Sequence, residues 1–508
     1  MIGTLSPLEV AIVALYGAAS LATIPFTTHA FLMVALRPKK RRTADAGTAP
    51  GEWPTVTVQL PIYNERYVVE GLLEAVCAFE YPTEKLEIQV LDDSTDDTRA
   101  ILAALVDQYR EQGVDIVHLH RVDRTGFKAG ALREGLEVAK GEFLAIFDAD
   151  FLPPSDFLRR TIPSFEDGVA LVQSRWGHLN REYSLLTRAN AIALDAAFVL
   201  ESGVRHARHL LFQFNGTGGV WRKAALIDAG NWHDDTLTED LDVAYRAQLR
   251  DWRIVYLNDV VCEGEIPADL DSVKRQQFRW AKGYVQNARK HLTAVLGAPH
   301  LSAFAKYEGS LLLCNHVVFP IVLVISLLVW PTARIAVEHG LGPYLVGPSI
   351  LLTLLFFAYP LYFAVSQWDT YPDWRKRVAL VPLLLVFMTG LSVTCSMAVA
   401  SGLLNRPSPF VRTPKYGLRG KSGTWRGNRY HWPKLHPSVW GELVMAAYMG
   451  VGVWYAFTHH WYAWAPFMLL PATGFALMGG LSVAQALRGR WGRAASTDNV
   501  SCGSEAAA

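Results

Sequence analysis

Apolar and polar positions follow two different rhythms along this chain, and the change of rhythm divides it. Between Gly51 and Leu296, short stretches of strand period exchange with stretches of helical spacing. Val56–Leu60, Glu87–Leu91, Asp115–His120 and Phe143–Phe147 read as strands, and Val68–Phe79, Asp97–Gln112 and Ala129–Lys140 read as helices. Strands alternating with helices imply right-handed crossovers, a parallel sheet and an α/β domain. Ligands in such sheets bind beyond the carboxyl ends of the strands.

Outside that region the apolar runs are long and unbroken. Val10–Leu36, Ser310–Ala333, Tyr344–Val365, Val439–Phe457 and Trp464–Ala486 are each long enough to cross a bilayer. Val378–Leu404 is a further run, and loop charge bears on it. Cations follow the first span (Arg37, Lys39, Lys40, Arg41, Arg42), the third (Arg375, Lys376, Arg377) and the last (Arg488, Arg490, Arg493). Asn405–Pro437 carries eight Lys or Arg and no Asp or Glu. Cationic loops stay on the cytoplasmic side. All four then lie inside with the α/β domain only if Val378–Leu404 does not cross. The expectation is five spans and one interfacial or re-entrant helix, with Thr389, Ser392, Thr394 and Ser396 facing protein or a pore. Plain hydropathy gives six spans instead.

The resulting layout is an N-terminal span and basic flank (1–42), an α/β domain (51–297), two spans and the non-crossing helix (305–404), a basic loop (405–437), two more spans (438–488) and a disordered tail (489–508). Composition agrees with a multi-pass membrane protein: hydrophobic residues make up 51% of 508. The formal net charge of +1 excludes an overall field for nucleic acid. The five cysteines have no metal-ligand spacing, and no disulfide framework is expected.

The candidate chemistry is acidic. Asp148-Ala-Asp150 follows a buried strand, so both carboxylates can reach one divalent cation; hard oxygen ligands suit Mg²⁺ or Mn²⁺. A turn with a helix cap is the plainer reading of this motif and of Asp92-Asp93-Ser94. Thr238-Glu239-Asp240 also precedes a helix, yet a third carboxylate is what a hydroxyl nucleophile needs to lose its proton. Gln276, Arg279 and Trp280 stand at i, i+3 and i+4 and share a helix face. Arginine can clamp phosphate and an indole can carry a sugar ring. Lys274, Arg275, Lys282 and Arg289 equally suit a basic helix lying on a membrane.

Taken in order, Asp92-Asp93-Ser94, Asp148-Ala-Asp150, Thr238-Glu239-Asp240 and Gln276-Gln-Phe-Arg279-Trp280 resemble the D, DxD, TED and QxxRW signature of processive family 2 glycosyltransferases, the cellulose synthase superfamily. Val58-Gln-Leu-Pro-Ile-Tyr63-Asn-Glu65, Gly126-Phe-Lys128-Ala-Gly-Ala-Leu132 and Phe214-Asn-Gly-Thr-Gly-Gly-Val-Trp221 resemble it too, most of all its glucomannan and mannan synthase group and bacterial relatives. Phe410-Val-Arg-Thr-Pro-Lys415 resembles the FxVTxK gating loop, with Arg412 in place of the usual Val.

The resemblance implies a GT-A-type domain that transfers sugar from GDP-mannose or UDP-glucose to a growing β-linked glycan, exported through the membrane domain with or without accessory export subunits. It implies donor contacts at Tyr63, Glu65, Asp92 or Asp93, Lys128, Asp148, Gln276, Arg279, Phe410, Thr413 and Lys415. Asp150, with Asp148, would hold the metal, and Asp240 beside Glu239 would be the base. Trp280 and Phe214, Asn215, Gly216 and Thr217 would meet the acceptor. Two alternatives are a glycolipid transferase adding one sugar and a non-catalytic transport or scaffold protein.

Overall fold

The computed structural model describes residues 5–38, 51–341, 346–408, 411–426, 428, 430 and 435–502. Phe410, expected to contact the donor, lies outside them. Among the described residues one sheet has seven strands: β1 (Val56–Ile62), β2 (Leu86–Asp92), β3 (Ile116–His120), β4 (Phe143–Ile146), β5 (Val169–His178), β6 (Gly219–Arg222) and β7 (Arg253–Gly264). Their order is β3-β2-β1-β4-β6-β5-β7. β1 pairs in parallel with β2 and β4, β2 with β3, and β5 with β7. β6 runs antiparallel to β4 and β5, so the sheet is mixed though mostly parallel.

Successive residues of β4 serve opposite faces. Phe143 and Ala145 pack with Val58, Leu60, Leu72 and Leu102 on one side, while Leu144 and Ile146 pack with Leu132, Trp221 and Val243 on the other. Both faces are therefore covered, as a sheet of near-continuous apolar strands requires. Helices Val69–Cys77, Thr98–Glu111 and Phe127–Val138 stand where the helical spacing places them. Asp97 precedes its helix without a side-chain capping bond, and Asp96 instead accepts the N–H of Thr98 at 2.9 Å.

Helix Leu270–Gly297 joins this domain to the apolar helices. Pro7–Leu36, Asn315–Glu338 and Ala465–Leu487 are long and apolar enough to cross a membrane. The first is broken before Pro25 into Pro7–Leu21 and Ile24–Leu36. The second starts five residues later than the apolar run, because Ala303–Leu313 forms a helix of its own. Val346–Trp368 and Ser438–Thr458 have 23 and 21 residues, sufficient at ~1.5 Å per residue for a ~30 Å hydrocarbon core. The last helix, Ala465–Cys502, runs on into the positions read as an unstructured tail. Ala484, Gln485, Ala486, Leu487 and Arg488 are good helix formers and carry it past the apolar stretch.

The run Trp374–Leu403 is bent by 43° between Gly390 and Ser392. Both of its ends meet the α/β domain. Arg377 lies 3.8 Å from Asp195, and Asp373 lies 3.8 Å from Arg181. At the other end Arg289 donates to Gly402 O at 3.0 Å, and Lys282 donates to Ser408 Oγ at 2.7 Å. Ser392 and Thr394 are buried, and Thr394 donates to Ser438 Oγ at 2.8 Å.

Candidate functional site

The carboxyl ends of β1, β4 and β7, the start of helix Glu239–Leu249, helix Leu270–Gly297 and segment 411–418 enclose a cavity of ≈170 Å³. Tyr63, Glu65, Asp93, Lys128, Asp148, Asp150, Asn215, Gly216, Glu239, Asp240, Gln276, Arg279, Trp280, Thr413 and Lys415 all line it. Candidates spread over some 350 positions thus share one pocket.

Asp148 and Asp150 flank the end of β4, each against an ammonium group. Lys128 Nζ donates to Asp148 Oδ1 at 2.5 Å and to Gly216 O at 2.9 Å. Lys415 Nζ donates to Asp150 Oδ2 at 2.7 Å. Burial disfavours both ammonium charges, but the carboxylates around them outweigh it and hold both lysines above their ordinary range. Two carboxylates in one cavity, with room left for phosphate oxygens and water, fit how Mg²⁺ or Mn²⁺ is held at nucleotide sites. The two clusters of three metal-ligating side chains among the described residues lie elsewhere, and Lys290 stands 2.8 Å from both Asp235 and Asp242 of one.

Asp240 lies in the first turn of Glu239–Leu249, after Thr238, whose hydroxyl does not cap the helix. Burial, reinforced by the neighbouring charge of Glu239, pushes the Asp240 carboxyl up to about 7, against the pull of Lys128. Gly216 has φ +80, and a β-carbon there would stand 2.8 Å from Asp240 Oδ2 and 3.3 Å from Lys128 Nζ. Only glycine lets the chain pass so close to Asp240 and Lys128 together.

Three expected residues, Asp92, Phe214 and Thr217, do not line this cavity, and Glu65 lines it as one half of an ion pair. Asp92 is fully buried behind the cavity, where it accepts from Ser94 N at 2.8 Å and meets His118 Nε2 at 2.9 Å; Asp93 is the one that faces the pocket. Thr217 is buried and holds the chain, its Oγ1 accepting the N–H of Asp148 at 2.9 Å. Phe214 packs edge-on against Trp221 at 5.7 Å, with its rim on a second, larger cavity. Glu65 is ion-paired with Arg412, and burial pushes its carboxyl up to about 7 in spite of that partner.

Several lining residues carry no signal in local sequence pattern. Arg124 stacks its guanidinium 3.3 Å from the centre of the Tyr63 ring. Arg121, behind the lining, grips Asp93 at 2.8 and 2.7 Å. Both follow β3, and the rule that ligands bind past strand ends points to that loop. Glu265 follows β7 and Trp176 lies on β5, strands that period alone does not place.

The second cavity, of ≈410 Å³, opens where Trp176, Asn215, Thr238, Asp240 and Trp280 line both spaces. It extends among the apolar helices past His29, Glu201, Asn315, His316, Ser326, Tyr359 and Thr389. Phe198 lies tilted against Trp176 with ring centres 4.4 Å apart, which adds an aromatic wall near the junction.

Comparison with known proteins agrees with this geometry. Residues 54–283 match the family model described as glycosyltransferase like family 2. The chain is 42% identical over 287 residues to a probable glucomannan 4-beta-mannosyltransferase 7 of Oryza sativa subsp. japonica, covering 55% of this chain and 49% of the relative. It is 41% identical over 258 residues to glucomannan 4-beta-mannosyltransferase 2 of Arabidopsis thaliana, covering 50% and 48%. The chain thus spans about half the length of the curated relatives it matches. A solved mannosyltransferase of Pyrobaculum calidifontis, in complex with GDP-Man and Mn2+, superposes with a TM-score of 0.51 at 21% identity, over 79% of this chain and 100% of that one. That likeness establishes a GT-A-type fold.

Proposed function

We propose that this chain is a membrane-embedded inverting glycosyltransferase that transfers mannose from GDP-mannose to the end of a β-1,4-linked mannan or glucomannan. The observation that carries the reading is the meeting of Asp240, Lys128, Asp148, Asp150 and Arg279 in one pocket that opens at Trp280 into a cavity among apolar helices. The preference for mannose over glucose, and for GDP over UDP, rests on the names of the relatives and of the solved mannosyltransferase.

In this mechanism the acceptor's terminal sugar stacks on Trp280, and its hydroxyl faces Asp240. Asp240 accepts the hydroxyl proton as the oxygen attacks the anomeric carbon. The bond to the diphosphate breaks on the opposite face, which turns an α-linked donor into a β-linkage. Arg279, Lys128 and Lys415 neutralise the departing diphosphate. Asp148 and Asp150 would hold Mg²⁺ or Mn²⁺, which when bound neutralises the same oxygens.

The product then enters the larger cavity, which suits export coupled to synthesis. Cationic flanks and the return of run Trp374–Leu403 to the α/β domain support five spans, that run being re-entrant, with the catalytic domain on the cytoplasmic face. A second reading, addition of one sugar to a lipid, is favoured by the Leu, Val and Phe side chains that make up much of the larger cavity's wall. Product analysis separates the two. Purified protein with labelled GDP-mannose and Mn²⁺ is expected to release GDP and form an alkali-insoluble polymer. A single labelled lipid would replace the first reading by the second, and release of no GDP from GDP-mannose, together with no UDP from UDP-glucose in a parallel reaction, would overturn both.

A further inference from the structure

Segment 411–418 crosses the mouth of the donor cavity, and a carboxylate outside every recognised motif holds its far end. Glu265 follows β7 and is 5% exposed. Its side-chain oxygens accept the N–H groups of Tyr416 at 3.0 Å, Gly417 at 2.8 Å and Leu418 at 3.1 Å. Successive N–H groups converging on one anion form a backbone nest, here turned inward on a side chain of the same protein. Gly417 makes the turn possible: its φ is +71, and a β-carbon would stand 2.7 Å from Tyr67 O.

The main chain of Glu265 is engaged as well. Its N–H donates to Asp150 Oδ2 at 3.0 Å, and its carbonyl accepts Lys415 Nζ at 2.7 Å. One residue therefore ties together the loop backbone, the loop lysine and a carboxylate assigned to the metal. A buried carboxylate is costly unless its oxygens are well satisfied, and these are satisfied by the loop.

We infer that Glu265 is a positioning residue for transfer, acting through Lys415: its carboxylate clamps Tyr416–Leu418, so that Lys415 stands beside Asp150, ready to move onto the donor diphosphate. This rests on the transferase reading for its consequence, though the clamp itself does not. A carboxylate that merely filled space would leave both the exchange of those amides and the coupling to Lys415 unchanged.

The test uses the full chain in detergent, with E265A, the near-isosteric E265Q, K415A and the E265A/K415A double variant. Amide hydrogen exchange at Tyr416–Leu418, measured without donor, is expected to accelerate at least about tenfold in E265A and in E265Q, with β1–β4 unaffected. With GDP-mannose and Mn²⁺, kcat/KM is expected to fall by about 100-fold in E265A, and the double variant to be no worse than K415A alone. Should E265A not fold, E265Q carries both measurements. Unchanged exchange overturns the clamp, and multiplying penalties overturn action through Lys415. A wild-type protein that releases no nucleotide refutes the transferase reading, while the exchange measurement still decides the clamp.

Discussion

Asp240 sits in a pocket that opposes its own charge, and this sets the pH at which it can serve as a base. Its carboxyl is raised to about 7 by burial and by Glu239. Only the ionised form accepts a proton, so turnover should climb as pH rises through about 7 and fade below it. The stability linkage has the opposite sign. The folded value lies above the unfolded one, so ionising Asp240 costs folding energy as pH rises from about 4 towards 7. Asp240→Asn should remove the climb and lower kcat by about 10²–10⁴. A nucleotide-release pH profile of both proteins checks this, and a variant that keeps the wild-type profile would show that the base is another group. Gly216→Ala should cost about 1–3 kcal/mol in thermal denaturation, because it forces a left-handed backbone on alanine and drives a methyl against Asp240. The same variant should lose most transfer, since the methyl displaces base and lysine together.

Helix Leu270–Gly297 is the element that joins catalysis to the membrane domain. Gln276, Arg279 and Trp280 face the pocket, as their spacing requires. The cations along the helix do not form the membrane-facing stripe that the sequence equally allows. Lys274 is fully buried, with its ammonium 2.6 Å from Glu442 and 2.7 Å from Ser482 Oγ. Lys282 is buried against Ser408, and Arg289 reaches Gly402. The reason is tertiary: helix Ser392–Leu403 with the residues just after it, and helices Ser438–Thr458 and Ala465–Cys502, supply the acceptors that water or lipid headgroups would otherwise supply. Glu442→Ala should destabilise the protein by about 3–5 kcal/mol by stranding the buried ammonium. Replacing Lys274 and Glu442 together by Met and Leu should recover most of that loss. Thermal unfolding in detergent measures both, and an undisturbed midpoint in Glu442→Ala would mean that the pair carries no such weight.

At the scale of the whole molecule, the proposed five-span topology turns on the bent run Trp374–Leu403. Its two ends touch the α/β domain, and Lys415 reaches Asp150 from the next segment of the chain. Cysteines placed at Gly51 and Lys421 in a cysteine-free protein should therefore react from the same membrane face, and one at Gly340 from the other. Membrane-impermeant labelling of oriented vesicles reads this directly. Gly51 and Lys421 on opposite faces would favour six crossings.

Local pattern carried the parallel half of the sheet, the helices between its strands and the placing of Asp93, Asp148, Asp150 and Asp240 near strand or helix ends. It carried the shared face of Gln276, Arg279 and Trp280 as well. Each of these depends on the period of one element, or on the residues just past the end of one strand, and such information lies within a dozen neighbouring residues. The rest was decided by the fold. β5 opens as a continuous buried apolar run, and β6 is a four-residue antiparallel strand, so period assigns neither. Asp92 and Asp93 are adjacent and chemically alike, and in the fold Asp92 turns to His118 on the next strand and to the Ser94 N–H while Asp93 faces the pocket. The pairing of Lys415 with Asp150 spans 265 positions, and the nest around Glu265 spans about 150. No local rhythm records such contacts, because they exist only once the chain has brought the carboxyl ends of the sheet, the long helix and the basic segment to one place.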